Sequence, residues 1–463
     1  MKKLMYLIMV IAVLGLIVAG CNNPVVPPTE QSDLNTLTKN GEPTVVWVDN
    51  DFNNSTIGWG TTHFDKIQDG INAVAVGGMV YVANGTYTAT SLASIVITKP
   101  LSLIGESRDG TIIDAGIWGN SSAGWPTGIH VYANDVTIKN FTVQDFTGDQ
   151  NNTGGYGVLF RDFSHDMPAE GYIYYTGCIA ENIRSQFNYS PMYALVNQYL
   201  TISNCLIQEN LADGIFIARE CDNVTITGNT VLNSGNQGIW VGSCWLGLGP
   251  SDNATITDNY IDGAAEGGIS FVGSNGAIIS GNTITNAAGD GWSRGALSLK
   301  DSPSNVEAFD NNIYNNSGTW NGYSGTGHGI GIDGVPSNIY LHHNNIYDNT
   351  GYGIYNYSTV TINATCNWWG DVSGPNGVGL GSGDAVTANV IYSPWLLDAV
   401  PDAMCYGWYG FDKIVECAVN VKNHGQFVSC VTKLTKDWFS ENINAEEKRA
   451  IINWAAKSDI GKK

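Results

Sequence analysis

Short runs in which apolar and polar residues alternate recur along most of this chain. From about residue 136 one phrase returns as VTIKNFTV (136–143), LTISNCLI (200–207), VTITGNTV (224–231), ATITDNYI (254–261), AIISGNTI (277–284), VEAFDNNI (306–313) and IYLHHNNI (339–346). A weaker copy, IYYTGCIA, starts at Ile173, and a last one, VTINATCN, starts at Val360. A period of two turns one face inward, so each phrase predicts strand. A second phrase alternates with the first: GVLF at Gly157, GIFI at Gly214, GIWV at Gly238, GISF at Gly268, GALSL at Gly295, GIGI at Gly329 and GIYN at Gly353.

The spacing between copies varies only in linkers rich in Gly, Asn and Asp, and a constant strand set with variable turns is the pattern of a solenoid. Propeller blades need about 40 or more residues each, which these copies do not supply. Stacked coils lie about 4.8 Å apart, so equivalent positions form ladders. The sixth residue of the first phrase is Asn229, Asn259, Asn282, Asn311 and Asn344 in five consecutive copies. Such a column is expected to tolerate the bend and to satisfy backbone groups inside the stack.

Upstream, HFDKIQDGINAVAVGG carries Phe64, Ile67, Ile71 and Val74 as a helical stripe, which predicts a short helix. It precedes VYVANGTYTATSLASIVITKPLSLIGESRDGTIIDA, residues 80–115. With the GIxI and VTITGN phrases, this stretch resembles the repeats of the right-handed parallel β-helix proteins of the pectin-lyase-like superfamily. The resemblance covers roughly residues 44–400. It implies an all-β, single-stranded right-handed parallel β-helix whose first coil is capped by the helix. It does not fix the chemistry, because this architecture carries lyases, hydrolases, esterases, epimerases and adhesins. In ATCNWWGDVSGPNG (364–377), Trp368 and Trp369 follow the last copy. A final coil exposes apolar core and strand edge, so these indoles are expected to plug it.

Both ends of the chain differ from the repeats. Lys2 and Lys3, an apolar run and the sequence Val18, Ala19, Gly20, Cys21 resemble a bacterial lipoprotein signal over residues 1–21, which implies lipidation at Cys21, export and a membrane anchor. Residues 22–43 are proline-bearing without apolar periodicity and read as a tether. Residues 401–463 read as a small helical module, with Phe427, Val431, Leu434 and Trp438 on one stripe and Asn444 and Glu447 marking a second helix start. Lys and Arg number 21 against 42 Asp and Glu, a net charge of −21, which argues against nucleic acid as partner. The rod is expected to be monomeric.

Nine cysteines are present. An exported compartment permits disulfides, and Cys178 with Cys205, and Cys221 with Cys244, are the candidate pairs on neighbouring coils, with buried free thiols as the alternative. Cys366, Cys405, Cys417 and Cys430 suit two bridges locking the terminal module to the solenoid.

In enzymes of the superfamily, catalytic residues project outward from one sheet and its loops. On the second-phrase strand the outward column reads Leu159, Phe216, Trp240, Ser270, Ser298, Gly331 and Tyr355, without a carboxylate. The next outward position brings Lys300 and Asp333 onto consecutive coils, with Arg294, Asp290 and His328 in the entering loops. Lys300, Asp333, Arg294 and His328 are the candidate catalytic cluster, and a solvated charge pair is the competing reading. Asp290 and Asp301 are the candidate ligands should Ca2+ be a cofactor. Gly327, His328 and Gly329 match the GHG element of polygalacturonases, but that family's Asn-Thr-Asp, paired-Asp and Arg-Ile-Lys elements are absent, as are the Asp-Pro-His-Glu element of alginate epimerases and the Trp-Ile-Asp-His element of pectate lyases. Two functions follow. One is a lipid-anchored surface protein that binds polysaccharide, with Phe216, Trp240, Trp292, Trp320 and Tyr323 as sugar platforms. The other is a polysaccharide lyase or glycoside hydrolase acting along the outer wall.

Overall fold

The computed structural model describes residues 41–119, 124–148, 154–160, 174–243, 249–289, 292–320, 322–400, 417, 421–438, 448–449, 451–452 and 455–456. Cys21, Cys244, Asp290, Cys405, Asn444 and Glu447 lie outside them. The alternating phrases form three parallel walls of 14, 10 and 12 strands, in which each strand pairs with the equivalent strand of the coil before and after. This is a right-handed parallel β-helix. The first phrase spans the first wall and crosses to the second, and the GIxI phrase builds the third.

Inside the tube, equivalent apolar residues stack in columns. On the third wall Ile129, Val158, Met192, Ile215, Ile239, Ile269, Leu297, Ile330 and Ile354 are in register and buried. The glycine that opens each GIxI phrase is there because the next coil passes too close for a side chain. A Cβ on Gly238 would come within 2.5 Å of the Gly268 carbonyl oxygen.

The asparagine column forms as expected. Asn229, Asn259, Asn282, Asn311 and Asn344 are buried, and each Nδ2 donates to the next Oδ1 at 2.8–2.9 Å. The column continues to Asn367, which receives Asn344 Nδ2 at 2.9 Å. Each Oδ1 also accepts the backbone N–H of the preceding rung, as Asn282 does from Asn259 at 3.0 Å. The bend itself is made elsewhere. The residue before the column takes the left-handed conformation in successive coils: Asn140, Asn182, Asn204, Gly228, Asp258, Gly281, Asp310, His343 and Cys366. The asparagine therefore supplies hydrogen bonds, and its predecessor supplies the turn.

Register corrects two of the copies. Ile179 pairs with Thr201, so the weak copy begins at Cys178 and not at Ile173. Tyr340 pairs with Asn363, so the last copy begins at Ile362. The column partner of Cys205 on the preceding coil is thus Ile183, not Cys178, and the Cys178–Cys205 bridge is not formed. Both are buried free thiols. Cys178 Sγ donates to Ala133 O at 3.2 Å and Cys205 Sγ to Ser203 O at 3.3 Å. Cys221 is also free and buried. Its neighbour along the axis is Ser251, whose Oγ accepts Cys221 N at 3.2 Å.

At one end the helix Ile67–Ala73 buries Ile67 and Ile71 over the first coil, and Gly70 lets it lie against Val48. At the other, Trp369 is fully buried in the core and does plug the tube, while Trp368 pairs with Asn345. Beyond the last copy visible in the sequence, Gly383–Val386 and then Pro375–Gly377 extend the third wall, and Val390–Ile391 extends the first by a partial coil. Trp395 packs there, donating Nε1 to Val372 O at 3.2 Å. The helix His424–Trp438 places Phe427 and Val431 in a cluster that reaches Val372 and Leu397. Cys417–Cys430 is a disulfide within this module, not a lock to the solenoid, and Cys366 is disulfide-bonded.

Candidate functional site

The outer face of the third wall carries the site. Register extends the expected outward column to His130, Leu159, Tyr193, Phe216, Trp240, Ser270, Ser298, Gly331 and Tyr355. Aromatic rings follow one another along its first half, stacked except for the tilted Tyr156–Tyr193 pair. Trp125 lies 5.5 Å from Tyr156, Tyr156 4.8 Å from Tyr193, Tyr193 4.8 Å from Phe216 and Phe216 6.0 Å from Trp240, centroid to centroid. These spacings follow the coil rise. Beyond Trp240 the column shrinks to serine and glycine.

A cavity of about 770 Å³ opens along this stack. Trp125, Tyr156, Tyr193, Phe216, Trp240 and Trp292 line it, together with Asp213, Glu266, Lys300 and Asp301. Phe216 and Trp240 are 3% and 7% exposed, so they form its floor and are not the open platforms expected of them, whereas Trp125 and Trp292 are 44% and 61% exposed and flank it. The buried Trp240 Nε1 has no hydrogen-bond partner among the described residues. Lys300 Nζ sits 5.2 Å above the Trp292 ring and 3.7 Å from Asp301 Oδ2. Trp320 and Tyr323 pair across an antiparallel two-strand hairpin.

Beneath the cavity, Gln237 is buried and joins both acids. Its backbone N donates to Asp213 Oδ1 at 3.2 Å, and its Nε2 donates to Glu266 Oε2. Its Oε1 accepts from Ser270 Oγ at 2.7 Å, Ser293 Oγ at 2.9 Å and Gly267 N at 3.1 Å. Burial pushes the Asp213 carboxyl up to about 6, opposed by the Gln237 N–H.

The expected catalytic cluster divides. Lys300 turns to Trp292 and Asp301 on the cavity. Arg294 Nε and Asp333 Oδ2 are paired at 2.6 Å, and Asp333 Oδ1 accepts Asp301 N at 2.7 Å. His328 accepts Tyr352 N at Nδ1, 2.9 Å, which leaves the proton of the neutral ring on Nε2, facing Tyr357 Oη at 3.1 Å. Its ring stacks on Tyr355, and burial lowers its pKa to about 4, which keeps the imidazole neutral at pH 7. Arg294, Asp333 and His328 do not line the cavity among its described walls. For calcium, no group of three or more His, Cys, Asp or Glu gathers among the described residues, and Asp301 faces an ammonium that would repel a cation. The described residues do not fit the ion.

Asp213, Gln237, Glu266, Tyr193, Tyr156 and Trp125 were not singled out from the sequence. The readable signal was position: Asp213 and Gln237 each stand immediately before the glycine of a GIxI phrase.

Two overlapping stretches, residues 127–293 and 197–368, match the family described as right handed beta helix region, and together they cover more than half of the chain. No curated protein matches the sequence. Among solved structures, the Agl-KA catalytic domain is similar at 16% identity and TM-score 0.44, over 70% of this chain and 65% of its own, so this chain spans less than two thirds of that domain. The A-module of mannuronan C-5 epimerase AlgE6 from Azotobacter vinelandii gives 15% identity and TM-score 0.41 over 71% of this chain and 94% of its own. Pectate lyase Pel9A gives 14% and 0.38 over 77% and 78%.

Proposed function

We propose, from the premise that the chain belongs to the right-handed β-helix family, that it binds a polysaccharide in the groove on its third wall. The aromatic stack running into the cavity supports this reading most directly. Sugar rings present C–H faces that pack on aromatic rings and hydroxyls that need partners. The groove offers both, through Trp125 and Trp292 at its sides and the carboxylates of Asp213 and Glu266 below. A volume of about 770 Å³ is that of a site for a short oligosaccharide segment. Export with a lipid anchor at Cys21 would present the groove to extracellular glycan, and the net charge of −21 disfavours a polyanionic ligand.

The test is titration of the full-length protein against an array of neutral and acidic glycans, followed by the same titration of Trp292→Ala. Trp292 is exposed, so its loss leaves the fold intact, and affinity is expected to drop about tenfold or more. Unchanged affinity in Trp292→Ala, or no binding to any glycan, rejects the groove.

A further inference from the structure

We infer that this groove hydrolyses a neutral glycan, with Asp213 protonating the glycosidic oxygen and Glu266 taking a proton from the attacking water. The inference rests on the glycan-groove reading above. Two carboxylates on opposite sides of a scissile bond are the minimum for hydrolysis with inversion, where they stand about 6.5–9.5 Å apart to admit a water. Asp213 stands on the rung before Gln237, and Glu266 hydrogen-bonds its backbone N to Asn236 O, which places it on the rung after. Their backbones are therefore two rungs apart, about 10 Å. Both line the same cavity, and one buried residue, Gln237, holds both in place.

Burial pushes the Asp213 carboxyl up to about 6, so it holds its proton to higher pH than an ordinary aspartate, which suits a proton donor. In the step itself, the Asp213 proton passes to the glycosidic oxygen as the bond from that oxygen to the anomeric carbon breaks. The oxygen of a water bonds to the same carbon from the other face, and Glu266 accepts the proton that water gives up. One water is consumed, the bond pair leaves with the sugar hydroxyl, and exchange with solvent restores the two carboxyls.

Charge selects the substrate. Among the described lining residues, Asp213, Glu266 and Asp301 face a single cation, Lys300, itself beside Asp301. A uronate polymer would bring further negative charge to this wall. Elimination beside a uronate also needs cations about its carboxylate, which these residues do not supply.

The experiment incubates the full-length protein with α- and β-glucans, xylan, mannan and inulin, and with polygalacturonate and alginate, and follows new reducing ends and the anomer first released. Cleavage of a neutral glycan with inverted configuration is expected. Asp213→Asn and Glu266→Gln should each lower the rate at saturating glycan about 100-fold or more, far beyond any change in glycan affinity. Binding without cleavage, retained configuration, cleavage only of the acidic polymers, or activity that survives either amide overturns the assignment and leaves the groove standing. Absence of binding to every glycan removes the groove and this inference with it. The configuration of the wild-type product decides the matter even if a variant fails to fold.

Discussion

The asparagine side and the aromatic side of the rod are built from the same rungs and use them in opposite ways. Along the first bend the same residue returns, and every amide in it is satisfied: Asn282 donates to Ile256 O and Asn311 Oδ1 and accepts twice from Asn259. Along the third wall the outward residue changes at each rung, from Tyr193 to Phe216 to Trp240 to Ser270, and the buried donor Trp240 Nε1 has no partner among the described residues. Repetition marks what holds the coils together, and departure from it marks what they can hold.

The largest effect is expected where repetition is broken. Asn282→Ala removes the acceptor of two buried Asn259 donors and the cap of Ile256 O. It should cost about 3–5 kcal/mol in unfolding free energy, read by denaturant titration. A loss below about 1 kcal/mol would deny the ladder its structural role. On the aromatic side the counterpart is Trp240→Phe, which keeps a ring and deletes that N–H. No hydrogen bond is lost, so stability should change by less than about 1 kcal/mol, and a loss as large as that of Asn282→Ala would erase the contrast.

A second amide run ends differently, and it sharpens the comparison. Asn316 Nδ2 donates to Asn349 Oδ1, and Asn349 Nδ2 to Asp384 Oδ2, both at 2.8 Å. Burial pushes the Asp384 carboxyl up to about 6 against the two Asn349 donors. A folded pKa above the unfolded value means that this group's stabilisation is complete below about pH 4 and is lost as pH rises through 6. Asp384→Asn should therefore raise stability at pH 7.5 by roughly 1–2 kcal/mol and leave it nearly unchanged at pH 4, measured by thermal unfolding at both. The smallest effect concerns the thiols. Native protein should leave Cys178, Cys205 and Cys221 unlabelled by an alkylating reagent, since burial raises each pKa, and denaturation without reductant should expose all three. Failure to label them after denaturation would restore the bridges.

What could be read in the sequence follows the same division. The fold, the Asn229-to-Asn344 column, the capping helix at Ile67 and the plug at Trp369 were legible because repetition or apolar period announces them. The copy at Cys178 was misplaced because IYYTGCIA alternates nearly as well as CIAENI does, and only pairing with Thr201 separates the two registers. The last partial coil escaped notice because Gly383–Val386 and Val390–Ile391 carry neither phrase. The site was harder still. Lys300 lines the cavity, whereas Arg294 and Asp333 satisfy each other, and Asp213 and Glu266 sit in turns whose lengths differ, so no fixed spacing links them. Their proximity is a property of stacking, which linear separation hides.

The rungs at Asn229 and Asn259 make interchangeable contacts, and neither end of the rod touches them. Duplicating the segment between these two asparagines would extend the tube by about 4.8 Å and leave the lid at each terminus undisturbed. The fold thus supplies a ruler: gene-level gain or loss of one turn would set the length of the groove on the third wall, with no need to redesign what closes the tube.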